Sequence, residues 1–343
     1  KVALTSERGH VIPDAVLFVN GIPLAVAEFK SPAVEDPMGA ALNQLLRYSN
    51  QRKELYPTQY TDDEGVERLF HYNQLLIASS LFEARAGTIG APPEAYLEWA
   101  DTSPVPLSTV AEEVGAIPRD ADEEALAAEE FRGVGAEQAD RPGTPLFFRK
   151  PEERPAAWRS ANVDLHSQQV LVAGMLRPEH FVDLVRNFTV FHQVEGRTRK
   201  VVARYQQFRA VHRAIDRLQT GGHPAERGGL IWHTQGSGKS LSMVFLVRKM
   251  RTLKELRHYK IVAVTDRTDL EKQLRDTAAL TGESVRPTKE DKRTRETLTA
   301  RTQRILAETT PDIVFAMLQK YQELERRPAQ GATVAMTIAR KER

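Results

Sequence analysis

Two acids and a lysine occupy a pair of otherwise apolar segments near the start of the chain. Asp14 precedes the run AVLFV, and Glu28 and Lys30 close the run LAVAEFK, with thirteen residues between the two acids. Carboxylate oxygens are the ligands that Mg²⁺ prefers, and a lysine two residues along a strand lies on the same face as the glutamate. These residue types could bind Mg²⁺ and activate water for attack on a phosphodiester. A solvated strand face with a surface ion pair explains the segment alone equally well.

The geometry of the turn between the two segments decides whether the acids can meet. Asn20-Gly21 is a strong β-hairpin signal. A plain two-residue turn would place Asp14 opposite Ala27, on the other face of the sheet from Glu28. We therefore predict a three-residue loop with Gly21 at positive φ, or an equivalent bulge, because either would place Asp14 opposite Glu28.

A second candidate site is the segment GLIWHTQGSGKSLSM. An apolar run, predicted to form a strand, leads into residues 236–240, and a helix with an apolar stripe follows. The glycines allow backbone N–H groups to surround phosphate oxygens at the start of the helix. Lys239 would contact the β- and γ-phosphates of ATP, and Ser240 would bind its Mg²⁺. The predicted ATP-binding residues of this loop are Thr234, Gln235, Gly236, Ser237, Gly238, Lys239 and Ser240.

Composition limits the classes of protein to which the chain can belong. At 343 residues it is long enough for about two domains. The net charge of +2 gives no overall basic surface, and the absence of cysteine excludes disulfides and thiolate metal sites. No apolar run approaches the roughly 20 residues that span a bilayer, so we expect no membrane segment and a cytoplasmic location. A start at Lys1 without a signal-peptide pattern leads us to expect a piece of a longer protein.

The order of apolar patterns predicts an α/β protein with three regions. Residues 1–155 combine strand-like runs with a short helix, followed by a proline-rich segment that contains an acidic tract. Apolar residues at helical spacing over 164–191 predict a helical linker across 156–200. Residues 201–343 alternate strands such as KIVAVTD and DIVFAML with helices, which is typical of a parallel α/β sheet.

A glutamine and a tyrosine strengthen the interpretation of the first segment. Gln44 and Tyr48 lie four residues apart on a predicted helix and therefore share a face. With Asp14, Glu28 and Lys30 they resemble the PD-(D/E)XK nucleases, in the branch that carries a Gln-x-x-x-Tyr element. The resemblance implies a restriction-endonuclease-like mixed β-sheet with flanking helices. It also implies catalytic roles for all five residues, with Asp14 and Glu28 as the Mg²⁺ ligands.

The second site resembles the motor of superfamily 2 helicases. These proteins vary at the position of His233, where the generic phosphate-loop pattern has glycine. They also carry an adenine-binding glutamine upstream, and Gln207 matches its spacing better than Gln206. The amide could pair with a donor and an acceptor on the adenine edge. A surface helix with two polar residues explains the glutamines alone equally well.

The order of the two patterns extends the resemblance to most of the chain. A nuclease pattern N-terminal to such a motor resembles the restriction (R) subunit of type I restriction–modification enzymes. The stretches NQLLIASSLFEARAGTIGAP, MLRPEHFVDLVRNFTVF and GGLIWHTQGSGKSLSM support the same family. The resemblance implies an endonuclease domain at 1–155 that lacks its first elements. It implies a first RecA-like motor domain at 201–343 that stops before its Asp-Glu-x-His motif.

The family resemblance also implies an activity, cofactors and partners. Such subunits join methyltransferase (M) and specificity (S) subunits and translocate double-stranded DNA with ATP. They then cut the DNA with Mg²⁺ away from the recognition site, as type I site-specific deoxyribonucleases.

Two rival interpretations stay open. One is a DNA-binding scaffold with an inactive nuclease fold. The other is a type III-like or repair helicase–nuclease, in which the nuclease usually follows the motor. Residues 79–80 and 83–88 could approach DNA phosphates, although strand-edge packing is the simpler explanation.

Overall fold

The computed structural model describes residues 4–6, 9–53, 55–80, 82–114, 165–194, 196–234, 237–265, 277–282, 285–286, 298–317 and 334–337. The chain forms two compact units, Lys1–Tyr205 and Gln206–Arg343. The boundary between them lies five residues beyond position 201, where the motor was predicted to begin. The predicted boundary at 155 and the acidic tract lie outside the described residues.

The first unit is built on a mixed sheet. Its strands are β1 (Leu4–Ser6), β2 (Gly9–Val11), β3 (Ala15–Val19), β4 (Ile22–Phe29), β5 (Leu75–Ser79), β6 (Ala84–Gly87), β7 (Leu97–Glu98), β8 (Thr189–Val194) and β9 (Arg197–Val202). Its helices are α1 (Pro37–Tyr48), α2 (Leu107–Glu113), α3 (Ser167–Leu171) and α4 (Pro178–Asn187), with a π-helical turn at Val172–Leu176 and 3₁₀ turns at Glu67–Leu69 and Pro93–Ala95. The central sheet has the order β3-β4-β5-β6-β7, and β4 and β5 are its parallel pair.

The β3–β4 hairpin contains a two-residue turn followed by a bulge. Asn20 and Gly21 both have positive φ, 51° and 78°, as a type I′ turn requires. The register then shifts beyond the turn, so that Leu24 is the extra residue on β4. Its carbonyl oxygen accepts a hydrogen bond of 2.6 Å from the backbone N–H of Gln74, just before β5. The predicted three-residue loop is therefore wrong, and the predicted alternative, an equivalent bulge, is confirmed.

Helices cover both faces of the central sheet. Asp36 caps the N-terminus of α1 by accepting from the backbone N–H of Gly39 at 2.8 Å, and Pro37 occupies the first turn. The apolar side of α1 packs with β4 and β5 in one buried cluster. Residues of α3 and the π-helical turn line a small apolar cavity against the opposite face. The central strand β5 is therefore buried along its whole length.

The predicted helical linker is only partly helical. Residues 167–187 form α3, the π-helical turn and α4, but residues 189–202 form the β8–β9 hairpin. Gly196 has a φ of 77° in the turn of this hairpin, a conformation that a helix does not contain. The hairpin belongs to the first unit, because Thr88 donates to the backbone oxygen of Lys200 at 2.8 Å. The prediction of a helix across 189–200 is wrong.

The second unit is a parallel α/β unit. Its helices are α5 (Tyr205–Thr220, whose first residue belongs to the first unit), α6 (Pro224–Arg227), α7 (Lys239–Thr252) and α8 (Leu298–Ala307), with a 3₁₀ turn at Ala279–Thr281. Its strands are β10 (Ile261–Thr265), β11 (Val285–Arg286), β12 (Ile313–Met317) and β13 (Val334–Thr337). All three pairings in the order β11-β12-β10-β13 are parallel. The predicted fold class, a mixed nuclease-like sheet followed by a partial RecA-like unit, is confirmed.

The predicted strand before the phosphate loop is not formed. Residues 228–234 have no strand pairing within the described parts of the chain, and Leu230 and Trp232 are 81% and 72% exposed. A strand needs a neighbour to satisfy its backbone groups. The apolar run alone therefore did not determine the conformation. In the described segments, no helix combines the length and apolar character needed to cross a membrane.

The turn of the β3–β4 hairpin requires a left-handed backbone conformation at Gly21, which a substitution can test. A Cβ at this position would meet nothing within 4 Å, so only the backbone conformation opposes a side chain. We expect Gly21→Ala to lower the free energy of unfolding by about 1–2 kcal/mol, because an L-residue is strained in the left-handed region. Gly21→Asn is the matched control and should lose much less, since asparagine tolerates that region. Urea denaturation measures both, and an alanine variant as stable as the wild type would contradict this turn.

Candidate functional site

Asp14 and Glu28 converge because of the bulge at Leu24. Beyond the bulge Ala15 pairs with Ala27, so the ladder continues to place Asp14 opposite Glu28. The Asp14 carboxylate accepts a hydrogen bond from the backbone N–H of Phe29 at 3.0 Å, which fixes it beside β4. The two predicted metal ligands therefore lie on one face of the sheet. A single residue of register would have separated them.

Lys30 connects this pair of acids to α1. Its ammonium group donates to Glu28 Oε1 at 2.7 Å and to Gln44 Oε1 at 2.6 Å. The Glu28 side chain is 1% exposed and that of Lys30 20%, so the carboxylate is buried while the ammonium group is partly accessible to water. No third acceptor for the ammonium lies within hydrogen-bond distance in the described parts of the chain. The remaining N–H can therefore donate to water or to a phosphate.

Gln44 and Tyr48 hold the lysine from the helix side. Gln44 Nε2 donates to the Tyr48 hydroxyl, and that hydroxyl donates to the backbone oxygen of Ile12 at 3.0 Å. Ile12 lies two residues before Asp14, so the chain of hydrogen bonds returns to the strand that carries the first acid. All five residues predicted for catalysis thus come together: Asp14, Glu28, Lys30, Gln44 and Tyr48.

Burial raises the pKa of Glu28 above its ordinary value. Loss of water is the largest cause, the hydrogen bond and charge of Lys30 oppose it, and the nearby Asp14 carboxylate adds to it. A glutamate with a raised pKa in the folded state costs stability as pH rises through the interval between its unfolded and folded pKa values. The hydrogen bond and charge of Lys30 therefore favour the ionised form of Glu28, against the larger effect of burial.

The donor set fits a hard divalent cation. Glu28 Oε2 is buried and has no hydrogen-bond partner within the described segments, which leaves an oxygen directed into the site without a protein donor. Described residues contain no group of three or more His, Cys, Asp or Glu side chains that could hold a metal ion. Mg²⁺ commonly takes one or two protein carboxylates and completes its shell with water and substrate phosphate oxygens. Asp14 and Glu28 match that requirement.

The phosphate loop of the second unit shows the backbone geometry of an anion site. Gly238 caps α7 with a φ of 78°, and a Cβ there would lie 2.6 Å from Gln207 Nε2. Lys239 is the first residue of α7, and its ammonium donates to the backbone oxygens of His233 and Thr234, each at 2.8 Å. Nucleotide binding would exchange these carbonyls for phosphate oxygens. Glycine at 238 is required by both the left-handed backbone and the close side chain.

Gln207 contacts the phosphate loop. Its amide nitrogen donates to the backbone oxygens of Gly238 at 2.9 Å and of Ser237 at 3.3 Å, and the residue is buried. This contact holds the loop in place. It also uses the amide nitrogen of Gln207, the side chain that was predicted to pair with adenine. Gln207, which the spacing of the helicase family favoured over Gln206, is thus a glutamine that contacts this loop.

The remaining predicted residues of this site are placed as follows. Ser237 donates to the backbone oxygen of Thr234 at 2.6 Å. Ser240 is the second residue of α7 and is half-buried. Gln235 and Gly236 lie outside the described residues. Burial, with the charges of Lys239 and Arg209, lowers the pKa of His233, so this neighbour of the loop is neutral at pH 7.

Two contributors to the candidate site of the first unit were missed in the sequence. Leu24 provides the bulge, and the signal that could have located it is the neighbouring Pro23, since proline within a central strand is confined to bulges. Ile12 contributes a backbone carbonyl, for which no sequence signal exists.

Comparison with known proteins assigns both units. Residues 2–95 match the family model of the type I restriction enzyme R protein N terminus, and residues 206–342 match that of the SWI2/SNF2 ATPase. The type I restriction enzyme HindI endonuclease subunit of Haemophilus influenzae is 30% identical over 319 residues, which is 92% of this chain and 24% of that protein. The chain belongs to the type I restriction enzyme R-protein family. The predicted family is confirmed.

Other relatives of this R-protein chain have the same description. The candidate type I restriction enzyme MjaIXP endonuclease subunit of Methanocaldococcus jannaschii is 26% identical over 316 residues, covering 90% of this chain and 24% of that protein. The candidate MjaVIIIP subunit of the same organism is 24% identical over 272 residues, covering 78% of this chain and 19% of that protein. The R-protein chain thus spans about a quarter of the length of these relatives or less.

The electrostatics of the nuclease site predict the titration of Glu28. In metal-free protein the Glu28 carboxyl should titrate above the ordinary range of glutamate, and Lys30→Met should raise its pKa further because the compensating cation is lost. Lys53→Met, which removes an exposed lysine of the same unit, is the control and should leave the pKa unchanged. NMR titration of the side-chain carboxyl carbon measures all three. A Glu28 pKa at or below the ordinary value would contradict the described burial.

The Gln207 contact predicts how nucleotide affinity responds to its loss. If the side chain mainly orders the loop, Gln207→Ala should weaken ATP and GTP binding by similar factors, because both use the same phosphate site. Gln206→Ala, one residue earlier on α5, is the matched control and should leave both affinities unchanged. Titration with fluorescent ATP and GTP analogues separates the cases. Loss of ATP affinity alone would contradict the ordering role and favour adenine recognition.

Proposed function

We propose that this chain carries the Mg²⁺-dependent DNA nuclease, and part of the ATP-dependent DNA translocase, of a type I restriction enzyme. In this proposal the complete subunit moves double-stranded DNA with ATP and cuts it away from the recognition site. It would do so with methyltransferase (M) and specificity (S) subunits in the cytoplasm. The described geometry of the five nuclease residues and the names of the relatives support it.

The buried Glu28–Lys30 pair is the observation that carries the nuclease proposal. Removing ions from water costs several kcal/mol each, and apolar replacements of buried ion pairs are often neutral or stabilising. Stability alone therefore does not explain a carboxylate that is 1% exposed and has one oxygen unpartnered within the described residues. A role of the Glu28 carboxylate as a metal ligand would explain its burial and its unpartnered oxygen.

Each residue has a role that its contacts allow. Asp14 and Glu28 would hold Mg²⁺, which when bound supplies a Lewis acid that polarises the phosphate and makes water more acidic. Lys30, with one N–H left for donation, would orient the attacking water or stabilise negative charge on the phosphate in the transition state. Gln44 would keep the ammonium in position, and Tyr48 would anchor Gln44 to the strand that carries Asp14.

The second unit would bind ATP at the start of α7. Gly238 allows the left-handed backbone and the close approach of Gln207 at the start of this helix, Lys239 would contact the β- and γ-phosphates, and Ser240 would bind the Mg²⁺ of the nucleotide. The hydrogen bonds that Lys239 makes to two backbone oxygens show that its side chain reaches the interior of the loop. The same lysine would then leave those oxygens for the nucleotide.

Substitutions in the full-length subunit separate the two activities. In the assembled complex with plasmid DNA, Glu28→Ala and Lys30→Ala should abolish cleavage and leave ATP hydrolysis intact, because the nuclease and the phosphate loop use different residues. Lys239→Ala should abolish ATP hydrolysis, and with it any cleavage that depends on translocation. Gel analysis of the plasmid and release of phosphate measure the two reactions.

Exposed lysines provide matched controls for this experiment. Lys53→Ala in the first unit and Lys254→Ala in the second should change neither reaction. Removing one partner of a buried ion pair can cost about 3–5 kcal/mol, so melting temperatures must show that the variants are folded, and Glu28→Gln keeps the side-chain volume. Wild-type cleavage by folded Lys30→Ala and Glu28→Gln variants would leave the scaffold interpretation standing.

A further inference from the structure

One arginine lies on the same row of the sheet as the two acids and has no part in the site described above. The ladder places Asp14 opposite Glu28, pairs Glu28 with Ala78 on β5, and pairs Ala78 with Arg85 on β6. Residues directly paired across strands point to the same face. The row continues from Arg85 to the exposed Glu98 on β7, so it places a cation near the edge of the sheet, with a small buried residue between that cation and Glu28.

Packing on the other face confirms which way Arg85 points. Ala84, the neighbour of Arg85 on β6, lines the apolar cavity under the sheet together with Ala27 and Ile77, the neighbours of Glu28 and Ala78. Because successive strand residues alternate between faces, Arg85 must lie on the face of Glu28, where α1 holds Lys30. Along this row, Glu28 on β4 and Arg85 on β6 are two strand spacings apart, about 10 Å.

The turn between β5 and β6 fixes the start of the strand that carries the arginine. Ser80 and Glu83 exchange two hydrogen bonds, from Ser80 N to Glu83 O at 2.7 Å and from Glu83 N to Ser80 Oγ at 3.3 Å. Lys30 N donates to Ser79 O at 2.8 Å, which joins the end of β5 to the catalytic strand. The backbone of Arg85 is thus rigidly positioned relative to Lys30.

The Arg85 side chain is accessible to solvent and forms an ion pair that can exchange for another partner. It is 41% exposed, and its guanidinium pairs with the carboxylate of Glu83, which is 33% exposed. An ion pair this accessible to water is worth little, so a better acceptor can displace it at small cost. The guanidinium is planar and matches phosphate in a two-pronged contact.

We propose that Arg85 binds a DNA phosphate near the one that is cut, and so positions the duplex over Asp14 and Glu28. The inference rests on the proposed nuclease function. Phosphates of one strand are spaced about 3.4 Å along the duplex axis, so a separation of 10 Å corresponds to about three nucleotides. The Glu83 carboxylate holds the guanidinium ready when no DNA is bound and releases it to the phosphate.

A pair of substitutions distinguishes phosphate binding from a structural ion pair. In the full-length subunit assembled in its complex, Arg85→Ala should slow plasmid cleavage on the order of 10- to 100-fold, the loss expected for a hydrogen bond to a charged group. ATP hydrolysis should not change. Arg85→Lys should recover part of the rate. Glu83→Gln should cut at least as fast as the wild type, because it frees the guanidinium and removes a negative charge near the DNA.

DNA binding gives a measurement that does not depend on cutting. With the full-length protein, a labelled non-specific duplex and no divalent metal, Arg85→Ala should reduce the slope of log affinity against log salt by about 0.9, the value for one phosphate contact. Arg68→Ala, which removes an exposed arginine on a 3₁₀ turn of the same unit, is the matched control and should leave the cleavage rate unchanged.

The outcomes separate this inference from the proposed function. Equal losses of cleavage in Arg85→Ala and Glu83→Gln would show a structural ion pair and overturn the inference, as would wild-type cleavage and an unchanged salt slope in Arg85→Ala. Glu28→Ala is measured alongside as the reference. If Glu28→Ala abolishes cleavage while Arg85→Ala does not slow it, the nuclease assignment stands and only the role of Arg85 fails. If the Arg85→Ala variant has a lower melting temperature than the wild type, the cleavage rates of Arg85→Lys and Glu83→Gln still distinguish phosphate binding from a structural ion pair.

Discussion

Burial of an ionisable carboxylate at Glu28 is the constraint on which the candidate site of the first unit depends. The sheet is covered on both faces, so this side chain cannot reach bulk water. Its charge has to be compensated inside the protein, and Lys30 does so from two residues along the same strand. The lysine in turn needs Gln44, and Gln44 needs Tyr48. One buried acid thus explains why a helix must cross this face with two polar residues one turn apart.

The two candidate sites use a glutamine in the same physical way. In the first unit Gln44 accepts from Lys30 and fixes the ammonium group beside the acids. In the second unit Gln207 donates to the phosphate loop and fixes the backbone around Lys239. An amide can donate and accept without carrying charge, so it can order a charged group without changing the local charge. Both arrangements hold the side chain or the backbone of a lysine in place within a candidate site.

Local patterns predicted the elements of this fold better than their pairing. The apolar spacing predicted α1, and Asn-Gly predicted the turn of the first hairpin, because these signals act within a few residues. The carbonyl oxygen of Leu24 in the bulge accepts a hydrogen bond from Gln74, fifty residues later, and no local pattern predicts that contact. The apolar run at 230–234 was predicted as a strand, yet strand formation requires a neighbour. The second hairpin was missed because the helical spacing before it masked the turn at Gly196.

The central claim is that the bulged hairpin brings Asp14 and Glu28 together as ligands of one cation. Diffraction from crystals of the protein soaked in Mn²⁺, measured at a wavelength where manganese scatters anomalously, tests it directly, since Mn²⁺ accepts the same carboxylate oxygens as Mg²⁺. We expect one anomalous peak on the sheet face covered by α1, bonded to an oxygen of each carboxylate, with Lys30 still paired to Gln44. A crystal in which the two carboxylates lie on opposite faces of the hairpin, or in which the peak contacts neither of them, would contradict the account.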